Sequence, residues 1–313
     1  MPPKTLLAFL TPGQGSQTPG MLAEWLELPG GASRIDSWSE ISGLDLARLG
    51  TTATAEEITD TAVTQPLVVA ATLLAYEELT KRGVLTGDEE IVAAGHSVGE
   101  IAAYAIAGVI SADEAVSLAA TRGREMAKAC ALEPTGMSAL LGGDEAEVLA
   151  RLEALDLVPA NRNAAGQIVA AGAIAALEKL AEDPPARARV RPLATAGAFH
   201  TRYMASALDE YATVADRITA SEPACTLLSN ADGRPVSSAA DAMTKLVAQM
   251  TRPVRWDLCT ATMKDLGVTA IVEFPPAGTL TGIAKREMKG TPTHPIKSPA
   301  DLDGLAEALR AGQ

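Results

Sequence analysis

Residues 90–109 read Glu90-Ile91-Val92-Ala93-Ala94-Gly95-His96-Ser97-Val98-Gly99-Glu100-Ile101-Ala102-Ala103-Tyr104-Ala105-Ile106-Ala107-Gly108-Val109. The apolar run Glu90–Ala94 predicts a short buried strand, and the run after Gly99 predicts an apolar helix to about Val109. Between them, Gly95-His96-Ser97-Val98-Gly99 fits G-x-S-x-G. That pattern puts a serine on a sharp strand-to-helix turn, with its oxygen exposed at the helix N-terminus. Flanking glycines relieve the crowding. The helix dipole and the Val98 backbone N–H favour negative charge beside the serine. On the pentapeptide alone two readings stand, a nucleophile and a structural turn.

Working outward, Thr5–Leu10 predicts a buried strand ending in the turn Pro12-Gly13-Gln14-Gly15-Ser16-Gln17. Residues 67–82 predict a helix with Gly83 as its C-cap. Ser111-Ala112-Asp113-Glu114 is a capping box that opens a helix to about Ala129. Such strand–helix alternation implies α/β architecture, a parallel sheet covered by helices. The texture changes after Cys130. Gly136–Leu141 predicts a strand, Asp144–Leu155 a helix, Leu157–Asn161 and Gln167–Ala171 two strands, Ile174–Ala181 a helix and Ala188–Leu193 a strand. That βαββαβ order, complete in about 60 residues, is ferredoxin-like. It implies a small subdomain, 131–195, inserted in a large domain formed by 1–130 and 196–313. The tail after Thr291, with Pro292, Pro295 and Pro299, reads as a surface connector before a last short helix.

Composition narrows the function. The chain has 313 residues, 47% apolar and 21% charged, enough for a sizeable core. Lys and Arg number 26 against 39 Asp and Glu, a net charge of −13, and aromatics are 3%. Such a chain repels nucleic acid and anionic membranes overall, and it lacks the aromatics for base stacking. The three cysteines, Cys130, Cys225 and Cys259, form no zinc pattern and no disulfide framework. The expectation is a reducing cytoplasm, no metal and no membrane. The first ten residues are too short for a signal peptide, and no apolar run approaches the roughly 20 residues of a membrane span.

A serine nucleophile needs a base, and there are three histidines. His96 adjoins Ser97 and leaves the turn in another direction, which suits lining a pocket. His294 falls in the proline-rich tail and reads as solvated. By elimination His200, in Ala198-Phe199-His200, is the base. No acidic residue stands out as a third member, so a backbone carbonyl or an amide is left to orient the imidazole. Two glycines around Gln14 let the backbone approach a reacting centre, with Gln14 N–H as a second oxyanion donor beside Val98 N–H. The plain alternative is an ordinary glycine turn. Arg122, inside the helix opened at Ser111, is either a snorkelling surface residue or a buried guanidinium awaiting a carboxylate.

Taken together, these motifs resemble the malonyl-CoA:acyl carrier protein transacylases of bacterial fatty acid synthesis and their polyketide relatives. The likeness runs from Phe9 to about Met288. It rests on Phe9-x-x-Pro12-Gly13-Gln14-Gly15-Ser16-Gln17, Thr64-Gln65-Pro66, Gly95-His96-Ser97-Val98-Gly99-Glu100 and Arg122-Gly123-x-x-Met126. Asn161-x-Asn163-x-x-Gly166-Gln167-x-Val169-x-x-Gly172, Phe199-His200 and Asn230-x-Asp232-Gly233 follow in order. Gln249-x-x-x-Pro253-Val254-x-Trp256 and Glu273-x-x-Pro276-x-x-x-Leu280-x-Gly282 complete it. Leu10-Thr11 and Val98 are small departures.

The resemblance implies an α/β-hydrolase-like core with the ferredoxin-like insertion. It implies Ser97 as nucleophile, His200 as base, a main-chain carbonyl near Gln249 orienting the imidazole, and Gln14 and Val98 N–H as the oxyanion hole. Arg122 would hold a malonyl carboxylate, and Asn161 and Gln167 would line the site from the subdomain. Ala198-Phe199-His200 is similar to malonyl-selective members. The implied reaction is ping-pong transfer from malonyl-CoA to the phosphopantetheine thiol of acyl carrier protein, for fatty acid or polyketide synthesis, with no cofactor. The acidic carrier protein would need a local basic patch. Arg187, Arg189 and Arg191 form one candidate on a predicted strand face, and Lys285, Arg286 and Lys289 another on a predicted helix. The rival functions are a serine esterase or thioesterase and a non-catalytic carrier-protein scaffold.

Overall fold

A computed structural model describes residues 5–311. Among them are nine strands: β1 (Leu6–Thr11), β2 (Glu90–Gly95), β3 (Thr135–Gly142), β4 (Val158–Ala164), β5 (Gln167–Ala173), β6 (Ala188–Pro192), β7 (Thr226–Leu227), β8 (Ala270–Glu273) and β9 (Thr293–Pro295). Leu7, Ala8, Phe9 and Leu10 of β1 are almost wholly buried, as are Val92, Ala93 and Ala94 of β2. Strands apolar on both faces belong in a parallel sheet covered on both sides. The first sheet has the order β7-β2-β1-β8-β9, and every pairing in it is parallel. β1 and β2 end level, Thr11 opposite Gly95. The two glycine turns therefore emerge side by side at the carboxyl end of the sheet, where ligands bind in open α/β folds.

The second sheet has the order β4-β5-β3-β6, antiparallel throughout, with helices Glu145–Ala154 and Ile174–Glu182 in the chain between its strands. This is the expected βαββαβ layout. Leu140, Val148, Leu152, Leu157, Ile168 and Leu177 close a separate apolar cluster there. β4 is stitched to the core by two backbone bonds, Val254 N to Ala160 O at 2.8 Å and Arg162 N to Val254 O at 2.9 Å.

Five readings need correction. The helix placed at 67–82 spans Thr61–Lys81. Asp60 caps it by accepting from Ala62 N, and Pro66 lies inside rather than before it. The tail is no mere connector: β9 pairs with β8, and Val272 lies opposite His294. His294 is half-buried there, not solvated. Flanking prolines hid this strand, and an edge strand tolerates them. Arg187 precedes β6 with φ 63°, so only Arg189 and Arg191 share its exposed face. Arg122 is 1% exposed, which removes the snorkelling reading.

Candidate active site

The end of β2 turns directly into the helix Gly99–Ile106. A Cβ at Gly95 would lie 2.2 Å from the Gly99 carbonyl, and one at Gly99 would lie 2.2 Å from Thr11 O. Both positions are therefore closed to any side chain, which is why the pattern needs glycine at each. Ser97 has φ 54°, the strained left-handed region that functional turns use. Its N–H donates to Asn230 Oδ1 at 2.9 Å, and Asn230 Nδ2 donates to Gly95 O at 2.7 Å, so one amide clamps both ends of the turn. Val98 follows directly, at the start of the helix.

His200 also has a left-handed backbone, φ 60°. Its Nε2 lies 2.7 Å from Ser97 Oγ, and its Nδ1 lies 2.8 Å from Gln249 O. A carbonyl only accepts, so the proton is assigned to Nδ1, and Nε2 is free to take one from the serine. Burial, with the Arg122 charge second, pushes the His200 pKa from 6.5 down to about 3. The imidazole is thus neutral at physiological pH.

Arg122 projects from the buried face of the helix Ala112–Cys130, whose Ser111–Glu114 capping box is formed as expected. Its Nη1 donates to Gln65 Oε1 at 2.8 Å and its Nη2 to Gln249 Oε1 at 2.9 Å. Nη2 also lies 3.5 Å from Ser97 Oγ. Among the described residues no carboxylate pairs with it. A buried cation held only by two amides and a hydroxyl is costly until an anion arrives, and the planar guanidinium suits a carboxylate.

The remaining candidates gather round one cavity of about 260 Å³, lined by Gln14, His96, Ser97, Arg122, Asn161, Gln167, Phe199 and His200 among others. That is below the roughly 300–1,000 Å³ of whole-ligand clefts and fits the head of a larger ligand. A Cβ on Gly13 would lie 2.6 Å from His96 O, so the first glycine turn packs directly on the elbow. Gln14 Oε1 is buried without a partner, and its Nε2 donates to Thr61 Oγ1. His96 stacks edge-on against Trp256, and its Nε2 lies 2.8 Å from Asn163 Oδ1. Asn161 and Asn163 alternate along β4 and both reach the cavity. Gln167 accepts from Arg286 at the rim.

Sequence reasoning gave no task to Glu100, Gln65, Asn163 or the Asn230 side chain. Glu100 is 0% exposed, and burial pushes its pKa up to about 8. It accepts from Asn230 N at 2.6 Å and from Gln249 Nε2 at 2.7 Å. The one available signal was their place in the quoted motifs. Cys130 offers no rival nucleophile, since burial pushes its thiol up to about 11. Among the described residues no cluster of three His, Cys, Asp or Glu could hold a metal ion, and no helix is long and apolar enough to cross a membrane.

Known proteins resemble this chain over nearly its whole length. The chain is 79% identical over 289 residues to a malonyl CoA-acyl carrier protein transacylase of Mycolicibacterium smegmatis, covering 91% of this chain and 99% of the relative. It superposes on the crystal structure of MCAT from Mycobacterium tuberculosis with a TM-score of 0.94 at 71% identity, covering 96% and 99% of the two chains. It also matches PlMCAT in a complex with AntF, a type II PKS acyl-carrier protein with its malonyl-transacylase. There the TM-score is 0.90 at 29% identity, with 97% and 99% covered. The acyl transferase domain family matches residues 8–302. The chain belongs to that acyl transferase family.

Proposed function

We propose that this chain is an acyltransferase that moves a malonyl group from malonyl-CoA to the phosphopantetheine thiol of acyl carrier protein. The observation that carries the reading is the convergence on Ser97 Oγ of a neutral imidazole at 2.7 Å and an unpaired guanidinium at 3.5 Å. His200 Nε2 takes the Ser97 proton, and Oγ attacks the thioester carbonyl. Gln14 and Val98 N–H receive the oxyanion. The intermediate collapses, and the protonated His200 hands its proton to the departing CoA thiolate. The carrier thiol then attacks the malonyl-serine by the reverse path. Gln249 O holds the imidazole throughout, and Arg122 grips the malonyl carboxylate. Asn161, Gln167 and His96 wall the acyl site, and Phe199 limits its width. The reaction asks for no cofactor beyond its two thiol carriers. We place it in the cytoplasm, serving fatty acid or polyketide synthesis. Residues 131–195 act as the wall-forming subdomain on the catalytic unit of 1–130 and 196–313.

The test is partition of radiolabelled malonyl-CoA. Transfer to holo carrier protein should outpace release of free malonate. Hydrolysis that matches or exceeds transfer would favour the thioesterase reading, and absence of any acyl-enzyme would favour the scaffold.

A further inference from the structure

Glu100 has no part in the chemistry above, yet it is a fully buried carboxyl in the first turn of the elbow helix. Both its oxygens accept, Oε1 from the Asn230 backbone N–H and Oε2 from Gln249 Nε2, hydrogen bonds that favour the ionised carboxylate against the upward push of burial. A primary amide has one donor end and one acceptor end. With Nε2 committed to Glu100 at the shortest distance, and to Ser97 O and Asn230 Oδ1 beside it, Gln249 turns Oε1 toward Arg122 Nη2, 2.9 Å away. We propose that Glu100 is a positioning residue for carboxylate recognition: it sets the orientation of the Gln249 amide, and through it holds the Arg122 guanidinium beside Ser97. The proposal rests on the reading of Arg122 as the group that grips the malonyl carboxylate.

Replacing Glu100 by its isosteric amide isolates this role. Glu100→Gln has one oxygen for two facing donors. The backbone N–H of Asn230 cannot rotate, so it keeps that oxygen. The new NH2 then faces Gln249 Nε2, donor against donor, while Ser97 O and Asn230 Oδ1 oppose a flip, so the Gln249 side chain is pushed off the position from which its Oε1 meets the guanidinium. Ser97 O and Asn230 Oδ1 also face Gln249 Nε2, at 2.9 and 3.1 Å. Each keeps a second partner, Glu100 N at 2.9 Å and Ser97 N at 2.9 Å. The elbow is therefore retained while Arg122 keeps Gln65 and the 3.5 Å contact to Ser97 Oγ and loses the firm hold of Gln249.

The experiment measures acylation of wild type, Glu100→Gln, Arg122→Ala and the double variant by malonyl-CoA and acetyl-CoA, with melting temperatures alongside. In Glu100→Gln, kcat/KM for malonyl-CoA should fall about tenfold or more, the scale of one hydrogen bond to a charged group. Acetyl-CoA acylation should fall much less. In the Arg122→Ala background the same change should shift malonyl acylation less than about twofold, since its route is already cut. Should Glu100→Gln not fold, Gln249→Met keeps the backbone carbonyl under His200 and should narrow the malonyl-over-acetyl preference alike. Equal losses for both substrates, an undiminished effect in the Arg122→Ala background, or an unchanged preference in Gln249→Met overturns the proposal. A wild type that forms no malonyl-enzyme overturns the functional reading, and the proposal with it.

Discussion

The parallel and antiparallel sheets meet at one cavity and contribute different things to it. From the carboxyl end of the parallel sheet comes Ser97, with His200 brought against it, each on left-handed backbone. Behind them lies a layer of buried polar bonds through Asn230, Glu100 and Gln249. From the antiparallel sheet come Asn161, Asn163, Gln167 and the apolar faces of Met137, Ala139 and Val169. None of these is a nucleophile or a general base. Chemistry is thus assigned to side chains whose backbone is over-determined, and shape to strand faces that tolerate exchange. Substitutions should divide accordingly.

The largest effect short of removing the nucleophile belongs to the base. His200→Ala should lower acylation by about 10²–10⁴, whereas Asn161→Ala should cost far less. Because burial and Arg122 hold His200 near 3, acylation should be flat from pH 7 to pH 5. The same shift bears on stability. Unfolded His200 takes up its proton near 6.5 and folded His200 only near 3, so its contribution is lost as pH falls through that window. An acylation rate that drops with an apparent pKa near 6.5 would contradict the buried, neutral base.

Next comes recognition. Arg122→Ala should lose malonyl transfer by about 10²–10³, about 3–4 kcal/mol, the lower part of the range for a buried charge pair deprived of one partner. Acetyl transfer should fall far less, and equal losses would make Arg122 structural. Phe199, 7% exposed beside His200, tests the wall. Overpacking costs about 1–3 kcal/mol, so Phe199→Ser should raise methylmalonyl over malonyl transfer by about tenfold. An unchanged ratio places that selectivity elsewhere.

The smallest effects lie at the rim. Lys285, Arg286 and Lys289 are exposed on or just after the helix Thr279–Glu287, whose Thr279, Leu280 and Ile283 line the cavity. Arg189 and Arg191 lie on the exposed face of edge strand β6. Reversing the charges of the docking cluster should raise KM for carrier protein severalfold and leave acylation by malonyl-CoA almost unchanged. The wild-type KM should rise with salt, since exposed charges are screened beyond about 8–10 Å. A KM flat with salt and silent reversals would remove electrostatic docking.

The elbow was legible because sterics leave no choice at Gly95 and Gly99, and the βαββαβ order because each strand and helix keeps its own period. His200 could be reached by elimination among few histidines. The supporting layer could not be read this way. Glu100, Gln65, Asn230 and Gln249 come from four separate segments, and nothing local marks a buried amide. Arg122 has the same difficulty, since a cation on an amphipathic helix reads as solvated until its neighbours are known. β9 escaped because a three-residue edge strand between prolines has no period to detect.

The central claim is that Ser97 carries the acyl group. Brief reaction with malonyl-CoA, followed by proteolysis and mass spectrometry, tests it most directly. One malonyl group should appear on the peptide that contains Ser97, and none in Ser97→Ala of unchanged melting temperature. Malonyl retained by that variant, at Cys130 or any other residue, would contradict it.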